Sequence, residues 1–221
     1  MKPFNTFLLL LSLLLTSCGA STPAAAPQIV TVYATPAAQP WLAELYDCAA
    51  ETPLIPSLLP AAQSADIVLR LGEPENLAAP AYRIGAEQIV IIVHPQNPLA
   101  QLSAAELRAL FSGQTRSWSE LGGADAALQV WVYAAGEDVQ QIFEAAVMGW
   151  QPLTTLARLA PAPDVMRQAV AADVAAIGIL PRRWATGDVR VVYEGAPVPV
   201  LAITAGEPQG AEAELLACLQ K

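Results

Sequence analysis

An α/β fold is predicted by three features of this chain. β-Branched runs alternate with amphipathic stretches along most of its length. One run, Ile89-Val90-Ile91-Ile92-Val93, is continuously apolar, as expected of a strand covered on both faces. Proline, glycine and cap residues punctuate the intervals between these segments. Such alternation implies largely parallel sheets flanked by helices.

The elements follow in order. Lys2 precedes an apolar run from Phe7 to Leu15, broken only by Ser12. It falls short of the ~20 residues a membrane-spanning helix needs, and fits a signal-peptide core. It ends in Leu15-Thr16-Ser17-Cys18, which resembles the bacterial lipobox. Residues 1–17 are therefore expected to be a signal peptide, and Cys18 the lipidated residue of an extracytoplasmic protein anchored to the cell membrane. Residues 18–27, where Cys18 is followed only by Gly, Ala, Ser, Thr and Pro, read as a flexible tether.

Ile29-Val30-Thr31-Val32-Tyr33 is β-branched and aromatic, hence a strand. Trp41, Leu45 and Cys48 share one face of the helix expected next. Asp66 to Leu69 and Gln88 to Val93 read as strands, the second ended by Pro95. Ser103 and Glu106 form a capping box that opens a helix over Ala104 to Phe111, closed by Ser112-Gly113. A strand is expected over Gln129 to Tyr133. Asp138 is expected to cap a helix with the stripe Val139, Ile142, Phe143, Ala146 and Val147, and Asp164 another with Met166 and Val170. Ala175 to Leu180, Val189 to Tyr193 and Val198 to Ile203 read as three further strands. Ala211, Leu215 and Cys218 place one stripe on a C-terminal helix.

Composition narrows the function. Of 221 residues, 54% are hydrophobic and 14% charged, the reverse of a disordered chain. Twenty acidic residues against eleven basic ones, a formal charge of -9, argue against nucleic-acid binding, which needs a basic surface. One His and three Cys leave no His-rich or Cys-rich metal cluster, and a Ser-His-Asp triad could form only around His94. No metal or cofactor is expected, nor an enzyme, since no nucleophile–base pair or phosphate-cradling glycine loop is present. In an oxidising compartment Cys48 and Cys218 are expected to bridge; two separate buried thiols are the alternative.

The stretch from Ile89 to Glu144 carries an ordered series. It runs from the strand Ile89 to Val93 through Pro95, Asn97-Pro98 and Leu102-Ser103. Leu110-Phe111-Ser112-Gly113 and Trp118-Ser119-Glu120-Leu121-Gly122-Gly123 follow, then the strand Val130 to Tyr133 and a helix carrying Phe143. This series resembles the phosphate-type solute-binding proteins of ABC importers. Tyr33-Ala34-Thr35-Pro36 resembles their first ligand loop more weakly. The resemblance implies a two-lobed type 2 periplasmic-binding-protein fold, each lobe a mixed, mostly parallel sheet flanked by helices. Lobe I would take residues 28–88 plus 188–221, and lobe II residues 89–187. The C-terminal helix would then return beside the Trp41 helix, which suits a Cys48–Cys218 bridge. His94, where the family usually has Asn, would sit near the crossover as a hinge or surface residue.

The family holds an oxyanion with backbone N–H groups at helix N-termini and with hydroxyls. Here the ligand loops depart from that pattern. A Ser-Gly-Thr loop is replaced by Ala134-Ala135-Gly136-Glu137-Asp138, so two carboxylates stand where an anion would approach. At an effective dielectric of about 20, one like-charge pair at about 4 Å costs roughly 4 kcal/mol. Arg70-Leu71 stand where the family often has Ser-Asp, and Thr52 to Pro60 replace a strand and a glycine-rich loop. Ala34, Thr35, Arg70, Gly136, Glu137 and Asp138 are the candidate ligand residues. Arg70 could offer an anion a bidentate fork, although pairing with Glu73 or Glu75 is the stronger expectation. Trp118 and Trp131 are expected in the core. The implied function is a lipid-anchored solute receptor, partnered by an ABC permease and closing on a small-molecule solute, an anion among the candidates but phosphate itself doubtful. The alternative is a diverged lipoprotein of the same fold, an adaptor or sensor for a protein partner.

Overall fold

The β-branched run near the N-terminus forms β1 (Gln28–Ala34), the centre of a parallel trio with β2 (Leu54–Leu58) and β3 (Ile67–Leu71). The computed structural model describes residues 26–221. The expected signal peptide, Cys18 and nearly all of the tether lie outside the described residues. A second trio comprises β7 (Ala176–Pro181), β5 (Gln129–Val132) and the two-residue β6 (Arg158–Leu159), also parallel. Two long antiparallel strands join the trios: β4 (Ala81–Val93) and β8 (Arg190–Thr204). The order is β2-β1-β3-β8-β4-β7-β5-β6. β8 pairs with β3 through its C-terminal end, and β4 pairs with β7 through its own. The two half-sheets therefore share only β4 and β8, which is the two-lobed arrangement. The expected boundary between Gln88 and Ile89 falls inside β4.

Three expectations need correction. Val189 to Tyr193 and Val198 to Ile203 are one strand rather than two. Gly195, Pro197 and Pro199 lie in or beside the interval between the two expected segments. They lie where β8 is paired with β4 alone, so a missing N–H can face the unpaired side, and a register shift opposite Gln88 and Val90 absorbs the irregularity. The proline-rich stretch after Thr52 does contain a strand, β2. It is an edge strand, the position where Pro56 is tolerated. Asp164 caps nothing: α4 (Pro163–Ala172) starts from Ala162 with Pro163 at its first position, where a proline lacks no needed N–H.

Local signals elsewhere acted as read. α2 (Ala104–Phe111) carries the full capping box, with Ser103 Oγ accepting from the Glu106 N–H at 3.2 Å and Glu106 accepting from the Ser103 N–H at 2.7 Å. Trp118 is buried, and its indole N–H donates to the Ala175 carbonyl at 2.9 Å. The paired glycines explain themselves here: Gly122 is left-handed (φ 78°), and a Cβ on Gly123 would lie 3.0 Å from the Trp118 carbonyl oxygen. Trp131 is only half-buried, its outer face covered by the Arg158 guanidinium. The continuous run of β4 is fully covered, with Val90 to Val93 all inaccessible. Beyond β1, a 3-10 turn (Pro36–Trp41) leads into α1 (Leu42–Ala49). The C-terminal α5 (Ala211–Leu219) packs on α1, and the Cys48 and Cys218 Cα atoms are 5.8 Å apart, their sulfurs at bonding distance. No helix among the described residues is long and apolar enough to cross a membrane.

Candidate functional site

The cleft between the half-sheets is built from two strand ends and the start of a helix. β1 runs out at Ala34, half-buried and paired with Leu69. Thr35 then caps the following turn, its Oγ1 accepting from the Ala38 N–H at 3.3 Å. That leaves the hydroxyl proton free, and it donates to Asp138 Oδ2 at 2.7 Å. β3 ends at Leu71, whose N–H donates to the same oxygen at 2.9 Å. Across the cleft α3 (Asp138–Phe143) begins, continuing as a π-helical turn over Glu144–Met148. Asp138 Oδ1 accepts from the Val139 N–H at 2.8 Å.

This geometry corrects the reading of Asp138 as a helix cap. Glu137 holds the cap position and makes no capping bond, while Asp138 is the first helical residue and faces the other half of the molecule. Its carboxylate is only 3% exposed and accepts three hydrogen bonds. Buried carboxylates survive only when so satisfied. Around it the field is negative. Burial and then the Asp138 charge push the Glu137 carboxyl above its usual range. Burial followed by both carboxylates raises the Tyr33 phenol, and burial dominates the rise at Tyr133, whose hydroxyl donates to the Ile179 carbonyl at 2.8 Å.

The two sides of Asp138 differ. Toward Pro36, Ala37, Tyr133 and Pro161–Pro163 the lobes meet with no cavity large enough for a water molecule. Toward β3 a cavity of about 490 Å³ opens, lined by Arg70, Gly72, Gln141, Ile142, Val198 and Pro199, with Trp150 also on its wall. Arg70 makes no ion pair with Glu73 or Glu75 among the described residues, contrary to expectation. Its guanidinium has two long contacts, to the Leu71 carbonyl and to Gln141 Oε1, each at 3.4 Å. Most of its fork is therefore available to a ligand. Glu73 and Glu75 line the same cavity as exposed carboxylates.

Of the residues singled out from sequence, Thr35 and Asp138 meet directly, and Arg70 lies on the cavity beside them. Glu137 is adjacent but makes no side-chain bond into the cleft. Gly136 is exposed and a Cβ there would meet nothing within 4 Å. His94 sits at the end of β4, its Nδ1 accepting from the Gln96 N–H at 3.1 Å. Sequence reasoning missed the Leu71 N–H, Gln141 and Trp150. A backbone donor has no sequence signature. Gln141, three residues past Asp138, was within reach of helical spacing. Trp150 is held by a left-handed pair, Gly149 (φ 55°) and Trp150 itself (φ 63°), and stands 61% exposed.

The chain belongs to the PBP superfamily: that family's domain matches residues 75–210. Solved structures extend the likeness of fold to β1 and β2. A putative phosphate ABC transporter substrate-binding protein with bound phosphate, from Clostridium perfringens, superposes with a TM-score of 0.78 at 17% identity, covering 87% of this chain and 93% of that one. An ABC-type phosphate transport receptor from Vibrio cholerae gives 0.63 at 17% identity over 87% and 93%. The CcmR regulatory domain of Synechocystis PCC6803, in complex with 2-PG, gives 0.63 at 13% identity over 87% and 96%. At such identities the agreement shows the fold alone. No curated protein sequence matches this one.

Proposed function

We propose that this protein is an extracytoplasmic solute-binding receptor of the ABC-importer type, held to the membrane by a lipid on Cys18. The solute is a small organic zwitterion rather than inorganic phosphate. The observation that carries this reading is the cavity of about 490 Å³ beside Asp138, which holds an unpaired guanidinium against an apolar wall. Its size suits a small-molecule site. Arg70 supplies the fork for a carboxylate, Glu73 and Glu75 face an ammonium, and Ile142, Val198 and Pro199 receive an apolar body. Phosphate is disfavoured by the Asp138 and Glu137 carboxylates. Binding alone is the activity, so the protein needs no catalytic group.

Calorimetry on the purified protein tests this against three sets of probes: free amino acids, simple carboxylates and inorganic phosphate. Amino acids should bind, and Arg70→Gln should weaken them by about tenfold or more, the worth of a charge-assisted pair. Phosphate binding alone, or no heat from any set, overturns the reading. The lipid anchor predicts metabolic lipid labelling that disappears in Cys18→Ala; retained label refutes it. We also propose that Cys48 and Cys218 form a disulfide, closing a loop of 170 residues and stabilising the fold by about 5 kcal/mol. Non-reducing peptide mapping should recover the linked pair, and two free thiols would exclude it.

A further inference from the structure

We propose that Asp138 is a built-in oxyanion: its carboxylate occupies the anion seat of the cleft and holds the two lobes together with no ligand present. The donor set around it is one that receives an oxyanion: one hydroxyl and two backbone N–H groups, at 2.7 to 2.9 Å. Two of these donors, Thr35 and Leu71, belong to the lobe opposite α3. No described Lys, Arg or His forms an ion pair with the carboxylate. On the Pro36, Tyr133 and Pro163 side the space is too small for a water molecule, on the β3 side Asp138 borders the open cavity, and the residue itself is only 3% exposed, so the seat is filled by the side chain itself.

The contrast is with a clamp that closes when a free anion bridges its halves. Here the bridging oxygens are covalently part of α3. A tethered group acts at an effective concentration that a dilute solute cannot match, because its translational freedom is already lost. Free phosphate is thus excluded by occupancy as well as by charge. Closure no longer depends on a solute, and the organic ligand proposed above would use the Arg70 cavity, which is present with the lobes together. This inference goes beyond that reading and does not need it: the seat is filled whether or not the Arg70 cavity binds anything.

The test uses small-angle X-ray scattering and thermal melting on the purified protein and on Asp138→Ala. The wild type should have the compact radius of gyration, unchanged by millimolar phosphate. Asp138→Ala should be expanded, and added formate, a free carboxylate of the deleted size, should restore compactness and raise its Tm by about 5 °C. A wild type that is expanded and contracts on phosphate overturns the proposal. So does an Asp138→Ala variant that stays compact without an anion, or one that formate leaves unchanged. Should Asp138→Ala fail to fold, Thr35→Val, which deletes one donor and keeps the side-chain shape, should lower the Tm without inducing phosphate-driven closure, and the wild-type scattering still decides. Calorimetry of amino acids on the wild type and Arg70→Gln is read independently, so failure of either proposal leaves the other standing.

Discussion

Two of the contacts between the lobes are built on opposite principles. At the cleft, Asp138 is buried and bound by uncharged donors, reaching Thr35 across 103 positions of sequence. Near the crossing strands, Arg183 lies 3.7 Å over the Trp41 ring and 2.5 Å from Glu44, with its side chain 39% exposed. Trp184, its neighbour, donates an indole N–H to the Ala37 carbonyl at 3.1 Å. The six-membered ring of Trp41 in turn packs against Gly85 of β4. The buried contact has fixed partners that would be orphaned by its loss. The exposed one has an ion-pair partner, Glu44, that water can replace. Interactions of the first kind determine structure, while those of the second adjust stability by small and salt-dependent amounts.

Substitutions can break this contrast in graded steps. Asp138→Ala leaves a hydroxyl and two N–H groups without their acceptor, and urea unfolding should show a loss of about 4 kcal/mol. A loss below about 1 kcal/mol would make the two contacts equivalent. Gly85→Ala should cost about 2 to 3 kcal/mol, because the added Cβ would stand 2.2 Å from the Trp41 ring and the Arg183 guanidinium also packs against that ring. Arg183→Ala should cost only about 1 kcal/mol, shrinking as salt is raised, since both an exposed pair and a cation–π contact are lost. Equal losses at low and high salt would contradict that assignment.

The smallest effect should be one of pH. Glu87 is buried beside Arg183, and burial raises its carboxyl above the usual range despite the Gln88 N–H at 2.9 Å and the nearby guanidinium. A raised acid favours the protonated folded state. The stability it contributes is therefore present below the ordinary carboxyl range and lost as pH rises through the folded value. Glu87→Gln removes this dependence, so the wild type should lose ground to the variant as pH climbs from acid toward neutral. A gap that widens toward acid instead would mean that Arg183 outweighs burial.

Legibility from sequence followed the reach of the signals. The capping box at Ser103 and Glu106, the run in β4 and the Trp118–Gly123 turn depend on neighbours within a few residues, and each appeared as read. β2 and the middle of β8 did not, because their prolines are breakers by local rule and become tolerable only where one side of the strand is unpaired. Arg70 was expected to pair with Glu73 or Glu75, one turn of chain away, and points instead toward Gln141 of α3. The candidate site shows the same limit: Thr35, Arg70 and Asp138 could be named as residues, but not which of them would touch.

By itself the sequence determined the α/β alternation, the superfamily core from Ile89 to Phe143, and the presence of two carboxylates where a family loop would offer hydroxyls. Those depend on side-chain type and short spacing. Only the tertiary structure decided which donors the Asp138 carboxylate meets. An acid at that position is compatible with repelling an anion or with replacing one. The choice turned on a hydroxyl and a backbone N–H brought across the cleft from β1 and β3. Hydrogen bonds act over about 3 Å, so their partners are selected by folding and not by proximity along the chain.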